Sequence, residues 1–464
     1  MHFHSCLNFD SFAILTSNKE YMPYLLFLIL LFGSNLKAET KKDSLTHSKS
    51  RQFVVTGQDY GTNKGTLELP ATSRTEFLDR DTTWLKVGGA FRLNNIYAHY
   101  EGQTFPLGTF LRNEWTWDTW RLNVDAYSDG IQLSFEYRFY PTFNTHFLKY
   151  GWLGYRFNEK TSFKMGVTQV PFGLLTYASH SWWFQLPYYL GLEDDHQMGF
   201  HVSHEWEGWL LDGAYFLLSE PRGTNDVTFG AFSTARYSYD VVPIPGNSNI
   251  ERHQINLRAV RKLPGHELGL SLQSHELYNL QTSHSGYQWA AALHHEANWG
   301  KLNLKSEAIY YTYNDVRNDD GIVLDVVQMG AYGFGTYDVA NRAALYVIGL
   351  AYDIPLSWGP IRNVQLYNDY TLMQKLTSGQ GGPVFSYRKS QQNVFGALVS
   401  AGQVYSYFDV AMGYNHPWIT DAFGGNALGT GRGIDYRQPI SVLNPTDSDP
   451  GWNTRLNINI GYYF

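Results

Sequence analysis

From Trp84 to the terminal Phe464 the chain runs in segments of about 10 to 14 residues in which apolar and polar side chains alternate, separated by Gly, Asn, Asp and Pro clusters. A period of two belongs to β-strands, whose successive side chains leave opposite faces of a sheet. The last segment is the clearest: Leu456, Ile458, Ile460, Tyr462 and Phe464 point one way, and Arg455, Asn457, Asn459 and Gly461 the other. Ile131, Leu133, Phe135, Tyr137 and Phe139 alternate in the same way with Gln132, Ser134, Glu136 and Arg138. Met198, Phe200, Val202 and Trp206 alternate with Gly199, His201, Ser203 and Glu205, and Trp209, Leu211, Gly213, Tyr215 and Leu217 follow a short turn at Gly208.

Further strands are predicted near 84–100, 115–127, 146–158, 161–170, 251–262, 266–278, 287–298, 300–313, 323–337, 341–354, 361–376, 391–400 and 403–415. Together these make about 17. Single-chain bacterial barrels favour even numbers, so 16 strands are expected, with 18 the alternative and one segment misassigned or missed.

A sheet this large needs somewhere to put its apolar face. Aromatic residues are 16% of the chain, with 34 Tyr and 14 Trp, and charged residues only 17%, against roughly 25% in an ordinary soluble domain. Mean hydropathy is nevertheless −0.33, and there is no run of the roughly 20 apolar residues that a spanning helix requires. The remaining way to cross lipid is a closed barrel, which pairs every backbone group and needs only alternate side chains to be apolar. The fold class expected is therefore all-β, a transmembrane antiparallel β-barrel over 84–464.

The N-terminus reads as a secretory signal. Met22 to Phe32 is MPYLLFLILLF, too short to span, followed by GSNLKAET with cleavage expected after Ala38. Lys19 is the one positive charge before it, and Met22 is an alternative start. Residues 1–38 are thus assigned to signal and leader, and the polar, turn-rich stretch 39–83 to a periplasmic arm. Cys6, the one cysteine, falls in the leader, which removes disulfides, thiol catalysis and Cys-based zinc sites from the mature chain. A net charge of −7 with interspersed signs excludes nucleic acid as a partner.

Connections alternate in length. Those at Gly208, Pro264-Gly265 and Trp299-Gly300 are tight and suit the periplasmic end, whereas 219–250, 376–390 and 415–451 are long and suit the external end. Tyr310, Tyr311 and Tyr313, like Tyr462 and Tyr463, are read as an interfacial girdle. Phe464, with Tyr462 and Ile460 before it, resembles the C-terminal signal recognised by the barrel assembly machinery.

The most unusual connection is PFGLLTYASHSWWFQLPYYLGLEDDHQ, residues 171–197. A loop so apolar must bury itself. In a barrel the available place is the lumen, which makes Pro171, Phe172, Gly173, His180, Trp182, Trp183, Glu193, Asp194 and Asp195 candidates for a pore constriction; an external cap or a subunit contact are the alternatives. KMGVTQVPFG, together with the opening WLKVGGAFRLNNIY and the closing LNINIGYYF, resembles the phosphate-selective porin O and P family. The resemblance implies a 16-stranded, trimeric channel constricted by its third external loop. That family selects phosphate with pore lysines and arginines, yet residues 165–221 contain neither. On the strands, the inward candidates Arg121, Arg138, Lys164, Arg258 and Lys305 are balanced by Asp125, Glu136, Glu205, Asp212 and Glu307. A mixed lining favours a general or organic-solute channel over an anion filter.

Other chemistries have weaker support. His201 and His204, and His294 and His295, have spacings that put each pair on opposite faces of a strand, so no metal site is expected. His201-Val202-Ser203 resembles the His-x-Ser element of outer-membrane phospholipase A, but His204-Glu205 follows it and the pair faces the lumen instead of lipid. GTGRG at 429–433 lacks the strand-to-helix context of a phosphate cradle. The sequence thus predicts passive diffusion of small hydrophilic solutes or ions, with no enzyme activity and no cofactor. Its partners are outer-membrane lipid and lipopolysaccharide, the assembly machinery and two further copies. A substrate-specific channel for organic acids, sugars or phosphate is the alternative, and a barrel enzyme or adhesin the rival class.

Overall fold

The computed structural model describes residues 83–99, 114–175, 177–225, 233–333, 336–377, 388–419, 425–429 and 451–464. The leader and arm assigned above, and GTGRG apart from Gly429, lie outside the described residues.

Sixteen long strands form the wall: β1 (Trp84–His99), β2 (Glu114–Ser128), β3 (Ile131–Tyr140), β4 (Thr145–Arg156), β5 (Thr161–Gln169), β6 (His196–Trp206), β7 (Trp209–Ser219) and β8 (Asn249–Leu263), then β9 (His266–Asn279), β10 (Ser285–Trp299), β11 (Leu302–Asn314), β12 (Arg342–Trp358), β13 (Ile361–Lys375), β14 (Lys389–Ala401), β15 (Val404–Tyr414) and β16 (Trp452–Tyr463). Each pairs antiparallel with its neighbours in sequence, and β16 closes the ring on β1 with Phe91 opposite Tyr462. Phe464 clamps the seam: its N–H donates to the Gly89 carbonyl (3.1 Å) and its carbonyl accepts from Gly89 N–H (2.9 Å). A ring without a free edge satisfies the ladder groups internally, which is the condition for a wall immersed in hydrocarbon.

The alternation sorts side chains as expected. On β16, Leu456, Ile460 and Tyr462 are exposed on the outer face, whereas Arg455, Asn457 and Asn459 are buried inside. Outward Phe200, Leu257, Leu270 and Phe395 are each at least half exposed, a band of bare hydrocarbon that water would penalise and lipid would not. Turns at one end are tight. At Glu207-Gly208 both residues have positive φ (46° and 80°), the two-residue geometry whose twist matches paired strands, and glycine adopts it without strain.

Two sequence assignments need correction. The segment 323–337 is not part of the wall. It contributes to a hairpin, Val326–Gly330 with Thr336–Ala340, in a separate four-stranded sheet with Asp240–Val241 and Gly425–Leu428, all from the long connections. Its removal turns about 17 segments into 16 strands. Tyr311 and Tyr313 are also not interfacial: both are buried on the inner face, while Tyr310 points out against Trp289. The period of two forces neighbouring residues apart, so Tyr310 and Tyr311 cannot share a girdle. Tyr463 likewise turns inward, with the Arg121 guanidinium 4.9 Å from its ring centre, and only Tyr462 faces out.

Candidate functional site

The connection from β5 to β6, residues 170–195, is the third at the end bearing the long connections, and it lies inside the barrel. It enters through Gly173, where φ is +65° and an added Cβ would press on the Glu307 carboxylate, so glycine is favoured on both counts. The turn is held by Gly173 N–H to Ser271 Oγ (3.1 Å), Leu174 N–H to Glu307 Oε1 (3.2 Å) and Arg258 Nε to the Gly173 carbonyl (2.9 Å). Arg258 also reaches Asp212 at 3.2 Å.

The middle of the loop is anchored to β11 and β13. Lys305 Nζ donates to the Tyr177 and Ser179 carbonyls at 2.8 and 3.2 Å. Asp369 Oδ2 accepts from His180 N–H (2.6 Å) and Ser181 N–H (2.7 Å), and its Oδ1 lies 2.8 Å from His180 Nδ1. Farther on, Gln392 Nε2 donates to the Phe184 carbonyl (2.8 Å) and Thr371 hydroxyl to Gln185. The loop thus crosses the lumen from β5 and β6 to β13 and β14.

Its return limb carries three acids. Glu193 Oε1 accepts Ala178 N–H (2.9 Å), and Asp194 accepts from Lys149 Nζ (3.0 Å), Gln169 Nε2 (2.9 Å) and Tyr237 hydroxyl (2.5 Å). Burial pushes Glu193 and Asp195 well above the usual carboxylate range, with Asp240 and Glu251 adding repulsion at Asp195. Burial raises Asp194 also, against the pull of Lys149. Asp195 lies 3.3 Å from Gln197 Nε2 through either oxygen.

Between this loop and the wall formed by β16, β1, β2 and β3 lies a cavity of about 810 Å³, solvent at its mouth included. The wall presents Arg92, Asn94, Asp118, Arg138, Tyr140 and Arg455. The loop answers with Trp182, Trp183, Phe184, Tyr188 and Tyr189, and the other long connections bring Tyr239, Tyr332 and Trp418. The rings brace one another: Phe184 stacks on Tyr188 at 4.0 Å, Tyr188 meets Tyr239 edge-on at 5.3 Å, and Trp182 meets Trp183 at 85°. Arg92 pairs with Asp118 (2.9 Å), Arg138 with Glu136 (2.5 Å), and Arg121 lies 3.7 Å from the same Glu136. The Arg455 guanidinium stands 5.1 Å from the Trp183 ring centre.

The sequence-predicted charges therefore divide. Of them only Arg138 borders the cavity; Arg121 and Glu136 lie behind it, buried. Arg258, Lys305 and Glu307 are occupied in holding the loop. Asp125 is buried against Ser134 Oγ (2.6 Å), and Lys164 covers the Trp152 ring at 4.6 Å. Glu205 is exposed beside the Glu207-Gly208 turn, 2.9 Å from Lys262. Pro171 and Phe172 are buried at the loop's entry, His180 at its anchor, and Ile460, Tyr462 and Phe464 face outward. Arg92, Asp118, Lys149 and Asp369 were missed as site residues, although their inward phase on alternating strands is readable. His201 is buried inside, 3.1 Å from Asp212, and among the described residues no group of three or more His, Cys, Asp or Glu is arranged to hold a metal.

No protein-family model matches the chain, and no curated protein sequence matches it significantly. Solved structures do share the fold. The outer-membrane channel DcaP of Acinetobacter baumannii aligns with a TM-score of 0.51 at 10% identity, over 82% of this chain and 97% of that one. OmpT of Vibrio cholerae, folded in vitro and in its trimer form, gives 0.50 at 11% over 83% and 100%. An anion-selective porin from Comamonas acidovorans gives 0.49 at 11% over 82% and 100%. The architecture is thus that of 16-stranded outer-membrane barrels.

Proposed function

We propose that this chain is an outer-membrane porin through which small hydrophilic solutes or ions diffuse passively, with neither catalysis nor a cofactor. The observation that carries this reading is a closed ring, apolar outside and polar inside, with one long loop stretched across its lumen beside an open, guanidinium-lined cavity. In this reading residues 171–195 are the constriction, and Trp182, Trp183 and the buried anchors set its width. Export depends on the N-terminal segment 1–38, an arm over 39–83 lies in the periplasm, and 84–464 is the barrel. Ile460, Tyr462 and Phe464, outward at the closing seam, suit recognition by the assembly machinery, and the outer band suits lipid and lipopolysaccharide. A homotrimer is supported by the trimer form of the similarly folded OmpT.

Planar-bilayer recording of the purified full chain tests this. Stepwise conductance is expected, and deleting residues 174–190 should raise it. A barrel without steps favours the enzyme or adhesin class, and an unchanged conductance on deletion removes the loop from the path.

A second reading, a substrate-specific channel, is favoured by how far the loop and long connections fill the lumen with tyrosine and tryptophan. The phosphate-selective variant of it is supported by the Pro171-Phe172-Gly173 turn and by Arg92, Arg121, Arg138 and Arg455 on one arc of wall. Block by phosphate at low concentration is its test.

A further inference from the structure

We propose that His266 and His295, on the outer face of the wall at its tight-turn end, form a two-imidazole site for a divalent first-row transition cation. The site lies outside the lumen and is independent of what the channel conducts.

The two residues come from neighbouring strands. His266 opens β9 directly after the Pro264-Gly265 turn, and His295 lies near the end of β10, ahead of the turn at Gly300. The register sets His266 opposite Ala297 and Leu268 opposite His295, so the two side chains are diagonal neighbours on one face. That face is the outer one: Leu268 and Leu270 share it from β9, Leu293 and Trp299 from β10, and all four are exposed. Trp299 meets His266 edge-on at 5.4 Å, and a tryptophan at a strand end suits the border between hydrocarbon and water. A hydrated ion reaches that border without crossing lipid. A separation of 29 residues hides the pair from any reading along a single strand.

The donor atoms are already close to a metal's requirement. His266 Nδ1 lies 3.1 Å from His295 Nε2, with the rings parallel to within 8° and their centres 5.4 Å apart, so the two nitrogens face each other. As the pair stands, one of these nitrogens carries hydrogen and donates to the other. Moving that proton to the far nitrogen of the same ring is a tautomer change that releases nothing, and it leaves two lone pairs on one gap. Metal–nitrogen bonds of about 2.0–2.1 Å, meeting between a right angle and the tetrahedral angle, hold two nitrogens about 2.8–3.4 Å apart. The observed separation falls inside that span, and the rings need only turn until their lone pairs converge beside the line joining them. Both imidazoles are half-buried instead of enclosed, which leaves room for the turn and for water in the remaining coordination positions.

Imidazole suits copper, zinc and nickel, with copper(II) held most tightly. Other accessible histidines are each engaged by a different kind of group: His146 by Tyr137, His204 by Thr161, His253 by Tyr215 and His284 by Asp315. None of these offers a second imidazole.

The test adds substoichiometric copper(II) to the untagged, detergent-solubilised full chain and follows it by electron paramagnetic resonance. Coupling to two imidazole nitrogens is expected. His266→Gln and His295→Gln should each reduce the coupling to one nitrogen and weaken copper binding roughly a hundredfold, the advantage that a second tethered donor confers. His253→Gln should change neither, and circular dichroism reports that each variant keeps the barrel. One-nitrogen coupling in the parent overturns the proposal whatever the variants do. A two-nitrogen signal that survives both substitutions overturns it as well, because the copper then sits on other histidines.

Discussion

Two arcs of the same wall face one lumen, carry similar residues and use them differently. Along β8 to β13 the inward charges Arg258, Lys305, Glu307 and Asp369 each end on the backbone of the loop. Along β16 to β3 the inward charges Arg92 and Arg138 pair with Asp118 and Glu136 of the wall itself, Arg455 stands over the Trp183 ring, and all three border the cavity. Inward phase on a strand therefore does not say whether a charge lines the passage or ties down what narrows it. The backbone it meets decides, and that backbone arrives from a loop more than a hundred residues away in the case of Asp369 and His180.

The sharpest way to break the comparison is Asp369→Ala. It strands two buried N–H donors and His180 Nδ1, leaving the ring held only by Nε2 on Asn303, at a cost of about 3 kcal/mol or more. The denaturant midpoint of the solubilised barrel should fall and conductance should rise as the loop lets go; a midpoint unmoved would mean that the anchoring arc does not anchor. Gly173→Ala comes next, at about 1–3 kcal/mol, since it combines strain at positive φ with a collision against Glu307. On the other arc, Arg455→Gln should move ion selectivity toward cations while lowering the midpoint by less than Asp369→Ala does, since no backbone donor of the loop is stranded. A larger loss of stability than Gly173→Ala produces would erase the distinction between the two arcs.

How much of this could be read beforehand follows the same division. The wall was legible because alternation is local: the outward phase of β3, β6, β7 and β16 needs only the identities of every second residue. Loop burial was legible from its apolar composition, and Gly173 from its place in Pro171-Phe172-Gly173. The hairpin at 326–340 was misread because Val326, Val327, Tyr337 and Val339 have strand character wherever they pair, and periodicity carries no information about which sheet receives them. Tyr188, Tyr239, Tyr332 and Trp418 come together from separate connections, a convergence that no window of sequence contains. Arg92 and Arg455 were visible as inward residues, but only the position of the loop sets them apart from Arg258.

The smallest effect expected is also the most specific to the loop. Glu193 lies on the return limb, outside the spanning strands; Oε1 is bonded to Ala178 N–H, and Oε2 is buried without a hydrogen-bond partner among the described residues. Burial holds its folded pKa well above the ordinary 4.5. Below 4.5 the carboxyl is protonated whether the loop is docked or free, and the stability associated with it is fully present. As pH rises past 4.5 the free form ionises first and the docked form resists, so docking weakens progressively until the raised pKa is passed. Glu193→Gln keeps the bond to Ala178 and the shape while removing the charge. Its midpoint should match the parent at about pH 4 and exceed it at about pH 8 by less than Asp369→Ala loses. If the two proteins instead kept a constant separation across that range, the acid at 193 would be ionised in place, and the loop would owe its position to the anchors on β11 and β13 alone.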